Sequence, residues 1–269
     1  MWNKNGNGKV KEYYKNGKIK YEGEYINGKR NGKGKEYYFS ANLKFEGEYL
    51  NDKRNGRGKE YKDGKLRFEG EYLYDYKLKG KYYIKDYLEY EGEYLYGKRN
   101  GKGKEYRKLY LDVSNSKIYY EGEFLNGNCH GKGKEYYEDG KLRFEGEYLY
   151  NHKLKGKYYI NEKLEYEGEY LFNRKWNGKG YDENGNIIYE LINGNGKVKE
   201  YDYNDRLIYE AEYLNGKRNG KGKEYDIDGK LQFEGEYLKG KRNGKGKEYD
   251  WNGILKFEGE YLNGTRIES

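Results

Sequence analysis

The sequence predicts an all-β fold, an elongated single-layer antiparallel meander of tandem β-hairpins, and three observations predict it. The triplet Glu-Gly-Glu recurs with its glycine at Gly23, Gly47, Gly70, Gly92, Gly122, Gly146, Gly168, Gly235 and Gly259, and Ala211 fills the slot once. Residues around each triplet alternate with a period of two, as in Leu66-Arg67-Phe68-Glu69-Gly70-Glu71-Tyr72-Leu73, which is strand patterning. The chain carries 41 Gly and no Pro in 269 residues, and glycine at that density excludes stable helices.

Each unit reads as two strands and two turns. In the first strand Phe68, Gly70 and Tyr72 share one face, and Glu69 and Glu71 share the other. A polar turn follows, such as Asn27-Gly28-Lys29-Arg30-Asn31, and then a Gly-x-Gly strand, such as residues 32–37. Asp63-Gly64, Asp139-Gly140, Asp228-Gly229 and Asn252-Gly253 return the chain to the next unit; such dipeptides suit tight hairpins that need positive φ. A glycine inside a strand costs about 0.5–1 kcal/mol. Its compensation is room for a ring to lie over the backbone. Phe68 and Tyr72 are therefore expected to pack on bare glycines, with Glu and Lys pairing across the opposite face.

About ten or eleven units fill the chain, which reads as one repeat array. KLRFEGEY occurs at residues 65–72 and again at 141–148, the mark of a block duplication. NGNGKVKEY occurs at residues 5–13 and 193–201. The repeat is irregular in two places. Residues 107–117, RKLYLDVSNSK, lengthen one inter-unit connection. Across residues 173–206 Leu191 takes the glycine slot and the unit is shortened, so a bend or sub-array boundary is expected there.

The unit at residues 21–37, YEGEYINGKRNGKGKEY, resembles the MORN repeat. The resemblance rests on the aromatic-x-Gly-x-aromatic strand, the Asn-Gly-Lys turn and the Gly-x-Gly strand. It recurs over nearly the whole chain. This sequence departs from the family pattern where Asn31 and Asn55 stand for the usual His, which His130 keeps, and where Tyr stands for the usual Trp. The Lys-Glu-Tyr-Tyr phrases are also similar to a MORN-variant branch in bacterial antitoxin-like proteins. The resemblance implies a sheet of hairpins with an aromatic groove. It also implies roles in protein–protein scaffolding, dimerisation and attachment to anionic lipid, and a repeat that is not catalytic.

Composition narrows the function classes. Net charge is +8, but 55 basic and 47 acidic residues are interleaved, which does not describe a basic nucleic-acid arm. Nucleic acid is accordingly not an expected partner. Cys129 is the only cysteine, so no internal disulfide forms. The first residues lack the apolar run of a signal peptide, and no stretch is apolar enough to span a bilayer, so a soluble, cytoplasmic protein is expected. The two histidines, His130 and His152, lie in different units, and Cys129-His130 occupies a slot held elsewhere by Arg-Asn. Neither arrangement makes a nucleophile–base pair or a zinc site. Carboxylate pairs such as Glu46 and Glu48 recur in every unit, so no copy is singled out for acid–base work. No phosphate-loop motif is present. The expected function is therefore a non-catalytic interaction scaffold without cofactor or metal, with a protein partner and capacity for homo-oligomers.

Three features rise above the repeat. Lys29-Arg30, Lys53-Arg54, Lys98-Arg99, Lys217-Arg218 and Lys241-Arg242 recur at one turn and would form a basic ridge for anionic lipid or another polyanion. Tyr74 and Tyr76, and their duplicates Tyr150 and His152, replace polar turn residues and are candidate partner anchors. Leu109, Tyr110, Leu111 and Val113 give the long connection an apolar character that suits partner contact or fold-back onto the sheet.

Overall fold

The computed structural model describes residues 6–108 and 116–267, so Leu109, Tyr110, Leu111 and Val113 lie outside the described residues. Among the described residues there are 23 strands and no helix. Strand order equals chain order throughout. Sixteen strands, from Gly8–Tyr13 to Ile187–Leu191, make one open antiparallel sheet, and seven, from Gly196–Tyr201 to Thr265–Arg266, make a second. By contact density the chain divides into residues 1–130 and residues 131–269. The ladder does not run unbroken as one meander. It stops between Leu191 and Gly196, where an Ile192–Asn195 bridge closes the connection.

In the first unit of the chain the repeat is regular. Leu43–Leu50 pairs with Lys53–Lys62 through Phe45↔Glu60, Gly47↔Gly58 and Tyr49↔Arg54. Three residues lie between Arg54 and Gly58 where the partner strand has one between Gly47 and Tyr49, so Asn55-Gly56-Arg57 forms a bulge opposite Glu48. The Glu48 carboxylate accepts the Arg57 amide at 2.9 Å, and Gly56 sits at φ 97°. The two glycines of Gly-x-Gly thus do different jobs. Gly56 makes the bulge, whereas Gly58 lies under a ring: a Cβ there would stand 2.3 Å from Phe45 Cζ. Phe45 and Phe68 are fully buried, each laid across the central glycines of its hairpin.

The rings form a continuous edge-to-face row: Phe45–Tyr72 at 5.2 Å, Phe68–Tyr94 at 5.6 Å and Tyr90–Phe124 at 5.2 Å. Aromatic-on-glycine packing is therefore the core. On the other face Glu and Lys pair across strands, as in Lys35–Glu46 at 3.6 Å and Lys11–Glu22 at 3.4 Å.

The turn after the aromatic strand is only two residues long. Both carry positive φ, as in Asn27 (50°) and Gly28 (76°), the mirror-image hairpin turn. Successive turns are tied to one another. Asp52 N donates to Arg30 O at 3.0 Å, and Asp75 N to Arg54 O at 2.9 Å. Of the inter-unit dipeptides, Asp63-Gly64 is a two-residue turn, but the turn containing Asp228-Gly229 is wider. Asp226 closes it by accepting the amides of Asp228 and Lys230.

The second unit, residues 131–269, contains the break. Tyr189, Leu191, Val198 and Ala211 are buried there, with Glu165 the one buried acid among the described residues. Lys175 Nζ reaches both Glu165 oxygens at 2.5–2.6 Å, and Tyr189 OH donates to Glu165 at 3.0 Å.

Candidate protein-binding surface

The five Lys-Arg pairs do not form a ridge of ten cations. Alternation counted back from Gly58 puts Arg54 on the ring face, and the structure places it there. Its guanidinium lies 4.2 Å from the Phe45 ring centroid, with 16% of the side chain exposed. Arg30, Arg99, Arg218 and Arg242 sit likewise over Tyr21, Tyr90, Tyr209 and Phe233 at 4.1, 4.7, 3.3 and 4.1 Å.

A carboxylate neutralises each of these arginines. Arg30 bridges Glu12 and Glu36, and Arg54 takes Glu36 again at 2.7 Å. Arg242 joins Glu224 at 2.5 Å. Burial alone would raise the pKa of Glu36. Hydrogen bonds and positive charge from Arg54, with Lys44 and Arg30 nearby, outweigh it and hold Glu36 below the ordinary carboxylate value. These arginines roof the aromatic core. The cations left on the turn edge are the lysines: Lys29, Lys53, Lys98 and Lys241 are exposed, Lys217 is half-buried, and Lys53 pairs with Asp75 at 2.9 Å.

The candidate partner-contact residues Tyr74, Tyr76, Tyr150 and His152 lie in or beside the two-residue turns, next to other exposed rings. Tyr74 and Tyr76 are exposed at 57% and 54%, and Tyr76 meets Tyr96, itself 77% exposed, edge to face at 5.8 Å. Leu73 and Leu95 flank them, half exposed. In the second unit of the chain Tyr150 is exposed, and His152 packs edge to face on the exposed Phe172 at 5.8 Å. Tyr96 and Phe172 were legible in principle, since they stand in the first turn position that Asn27 and Asn51 hold elsewhere.

Backbone conformation marks these rings. Tyr74, Tyr96, Tyr150 and Phe172 have φ of 47°, 47°, 47° and 49°. Left-handed backbone suits Asn and Gly and is strained for a bulky ring.

The Glu/Lys face contributes a groove of about 1280 Å3 in the first unit of the chain, floored by Gly47, Gly58 and Gly70 and walled by residues such as Glu46, Lys59 and Glu69. Its acids are engaged locally: Tyr61 OH donates to Glu46 at 2.7 Å. Burial, and then that carboxylate, push the Tyr61 hydroxyl up to about 12, so it stays protonated as the donor. Among the described residues no group of three or more His, Cys, Asp or Glu is placed to hold a metal ion. Cys129 and His130 begin a Gly-x-Gly strand in the Arg-Asn slot, in the strand Asn128–Tyr136.

An open sheet of tandem hairpins, carrying its distinctive side chains on one turn edge, defines a hairpin-repeat protein. The MORN repeat matches residues 21–40, 45–65, 90–108, 120–141, 209–230 and 233–253, and the MORN repeat variant matches residues 6–27, together more than half of the chain. The chain belongs to the MORN repeat family, whose repeats typically mediate binding and are generally non-catalytic. No curated protein matches the sequence. Among solved structures, a chain of "Crystal Structure of TcdB2-TccC3-Cdc42" is similar at a TM-score of 0.18 and 8% identity, over 91% of this chain. This chain spans 17% of that chain's length.

Proposed function

We propose that the protein is a non-catalytic scaffold that binds a partner protein through the aromatic turn edge. The observation that carries this reading is the set of exposed rings Tyr74, Tyr96, Tyr150 and Phe172 held in left-handed backbone. Nothing in the hairpin needs a ring there, because Asn serves the same turn position elsewhere. Rigid aromatics flanked by leucine are the side chains that anchor protein interfaces.

Replacing Tyr74 and Tyr96 with Asn tests the reading. The double variant should melt no lower than wild type, because Asn tolerates the backbone, and it should lose the stoichiometric protein recovered by pulldown from native lysate. Retention of that protein by the variant would refute the assignment. An antitoxin-like role would be the same mode with one dedicated partner. The second reading, an edge for anionic lipid or another polyanion, is carried by one lysine per unit rather than by Lys-Arg pairs. Salt-sensitive liposome flotation that disappears when Lys29, Lys53, Lys98, Lys217 and Lys241 become Ser would establish it in place of the first.

A further inference from the structure

We infer that the break at residues 192–195 is a hinge, latched shut by polar contacts between inter-unit turns. Everything involved lies within residues 131–269. Ile187–Leu191 ends one sheet and Gly196–Tyr201 begins the other, and the two strands do not pair as a ladder. On one edge the chain of turn-to-turn hydrogen bonds nevertheless continues through the break. Gly194 N donates to Trp176 O and Gly216 N to Gly194 O, both at 2.8 Å. Asn193 N and Asn215 N add bonds to the side chains of Asn177 and Asn195, at 2.6 and 3.0 Å. That edge is a pivot: covalently short, continuously hydrogen-bonded, and centred on Gly194 at φ 73°.

The opposite edge is held differently. The turn at residues 202–206 reaches back to residues 42 and 64 positions before it. Tyr203 donates its hydroxyl to Asp139 and sets its ring 5.1 Å from Tyr137. Lys163 reaches Asp205 at 3.0 Å, and Glu183 in the neighbouring turn at 3.2 Å. These contacts are largely solvent-facing. Beside them, lined by Leu164, Tyr181 and Tyr201, lies a cavity of about 210 Å3. Between pivot and latch runs the apolar seam of Leu191, Val198 and Ala211, each under 5% exposed. A continuous pivot, a polar solvent-facing latch and space beside the latch allow the seam to open by rotation without breaking either ladder. Contacts of the latch type weaken with salt, whereas the pivot's amide bonds do not.

Hydrogen exchange on the intact chain tests the hinge. With the latch weakened, either in wild type at about 1 M NaCl against about 0.05 M or in the exposed-site variant Tyr203→Ala/Asp205→Ala, the amides of Leu191 and Val198 should exchange about tenfold faster or more, while those of Phe45 and Phe68 keep their rates. Unchanged exchange at Leu191 and Val198 in both arms would overturn the hinge. So would an equal rise across all strands of residues 207–266, which would mean general loosening.

Discussion

Strands Gly8–Tyr13 and Gly196–Tyr201 have the same sequence, GKVKEY, and each opens a sheet, yet their surroundings differ. The local chemistry is reproduced closely. Val10 faces Gly23 and Glu12 faces Tyr21 in one; Val198 faces Ala211 and Glu200 faces Tyr209 in the other. Glu12 accepts from Tyr25 and Arg30, and Glu200 from Tyr213 and Arg218, with both carboxylates equally exposed at 27% and 26%. What differs is the neighbour. Val198 is 2% exposed beside the buried Leu191, whereas Val10 is only half-buried. Ala211 in the glycine slot also displaces its ring. Tyr21 is fully buried over Gly23 and Gly34, while Tyr209 is half-buried, and Gly222 instead has Ala211 Cβ and Tyr237 nearest to it. Identical sequence therefore fixes register and the charged roof, and the adjoining element fixes burial.

The comparison breaks most visibly at the valines. Val198→Asp should cost about 3 kcal/mol or more in urea denaturation, because a carboxylate enters a dry seam without a partner. Val10→Asp should cost under about 1 kcal/mol. Equal losses would mean that the seam does not distinguish the two copies.

The glycine slot gives the next largest effect. Gly23→Ala should destabilise by about 1–3 kcal/mol, since its Cβ would stand 2.4 Å from Tyr21 Oη and 2.6 Å from Gly34 Cα. Ala211→Gly should change stability by less than about 1 kcal/mol while reducing the solvent accessibility of Tyr209, read by tyrosine fluorescence quenching.

At the glutamates the copies should agree. Burial opposes ionisation of Glu200, but hydrogen bonds from Arg218 and Tyr213 prevail and lower its pKa; Glu12 is lowered likewise, with Tyr25 and Arg30 as donors. A carboxylate with a depressed folded pKa stabilises the fold above its ordinary value of about 4.5, and the contribution is lost as pH falls through the folded value. Glu12→Gln and Glu200→Gln should each remove about 1–2 kcal/mol at pH 7 and flatten the acid limb of the stability curve. A loss confined to Glu200 would show that the roof depends on the seam.

How far the sequence could be read follows from which signals are local. Period-two patterning around Phe68-Glu69-Gly70 gave the strands, the faces and the ring-on-glycine core. It also held the answer for Arg54, two steps of two from Gly58, but the adjacent Lys53 made the pair read as a surface feature. The turn ladder was not legible. It depends on Asp75 meeting Arg54 of the preceding turn, 21 residues earlier, a contact between neighbouring hairpins that alternation within a strand does not record. Residues 173–206 were readable as irregular because Leu191 fills a glycine slot. That the strand ladder stops there, and that Tyr203 reaches Asp139, depend on how the second sheet packs, which no local pattern encodes.

Thermal melts of Gly58→Val beside Glu69→Gln test the ring-on-glycine core most directly. At Gly58 a Cβ already meets Phe45 at 2.3 and 2.6 Å, so valine should lower stability by about 1–3 kcal/mol. At Glu69 the side chain accepts from Tyr83 on the solvent face, a bond glutamine can keep, so the loss should stay within about 0.5 kcal/mol. Equal losses at the two positions, or a tolerant Gly58, would contradict a core made of rings laid on bare backbone.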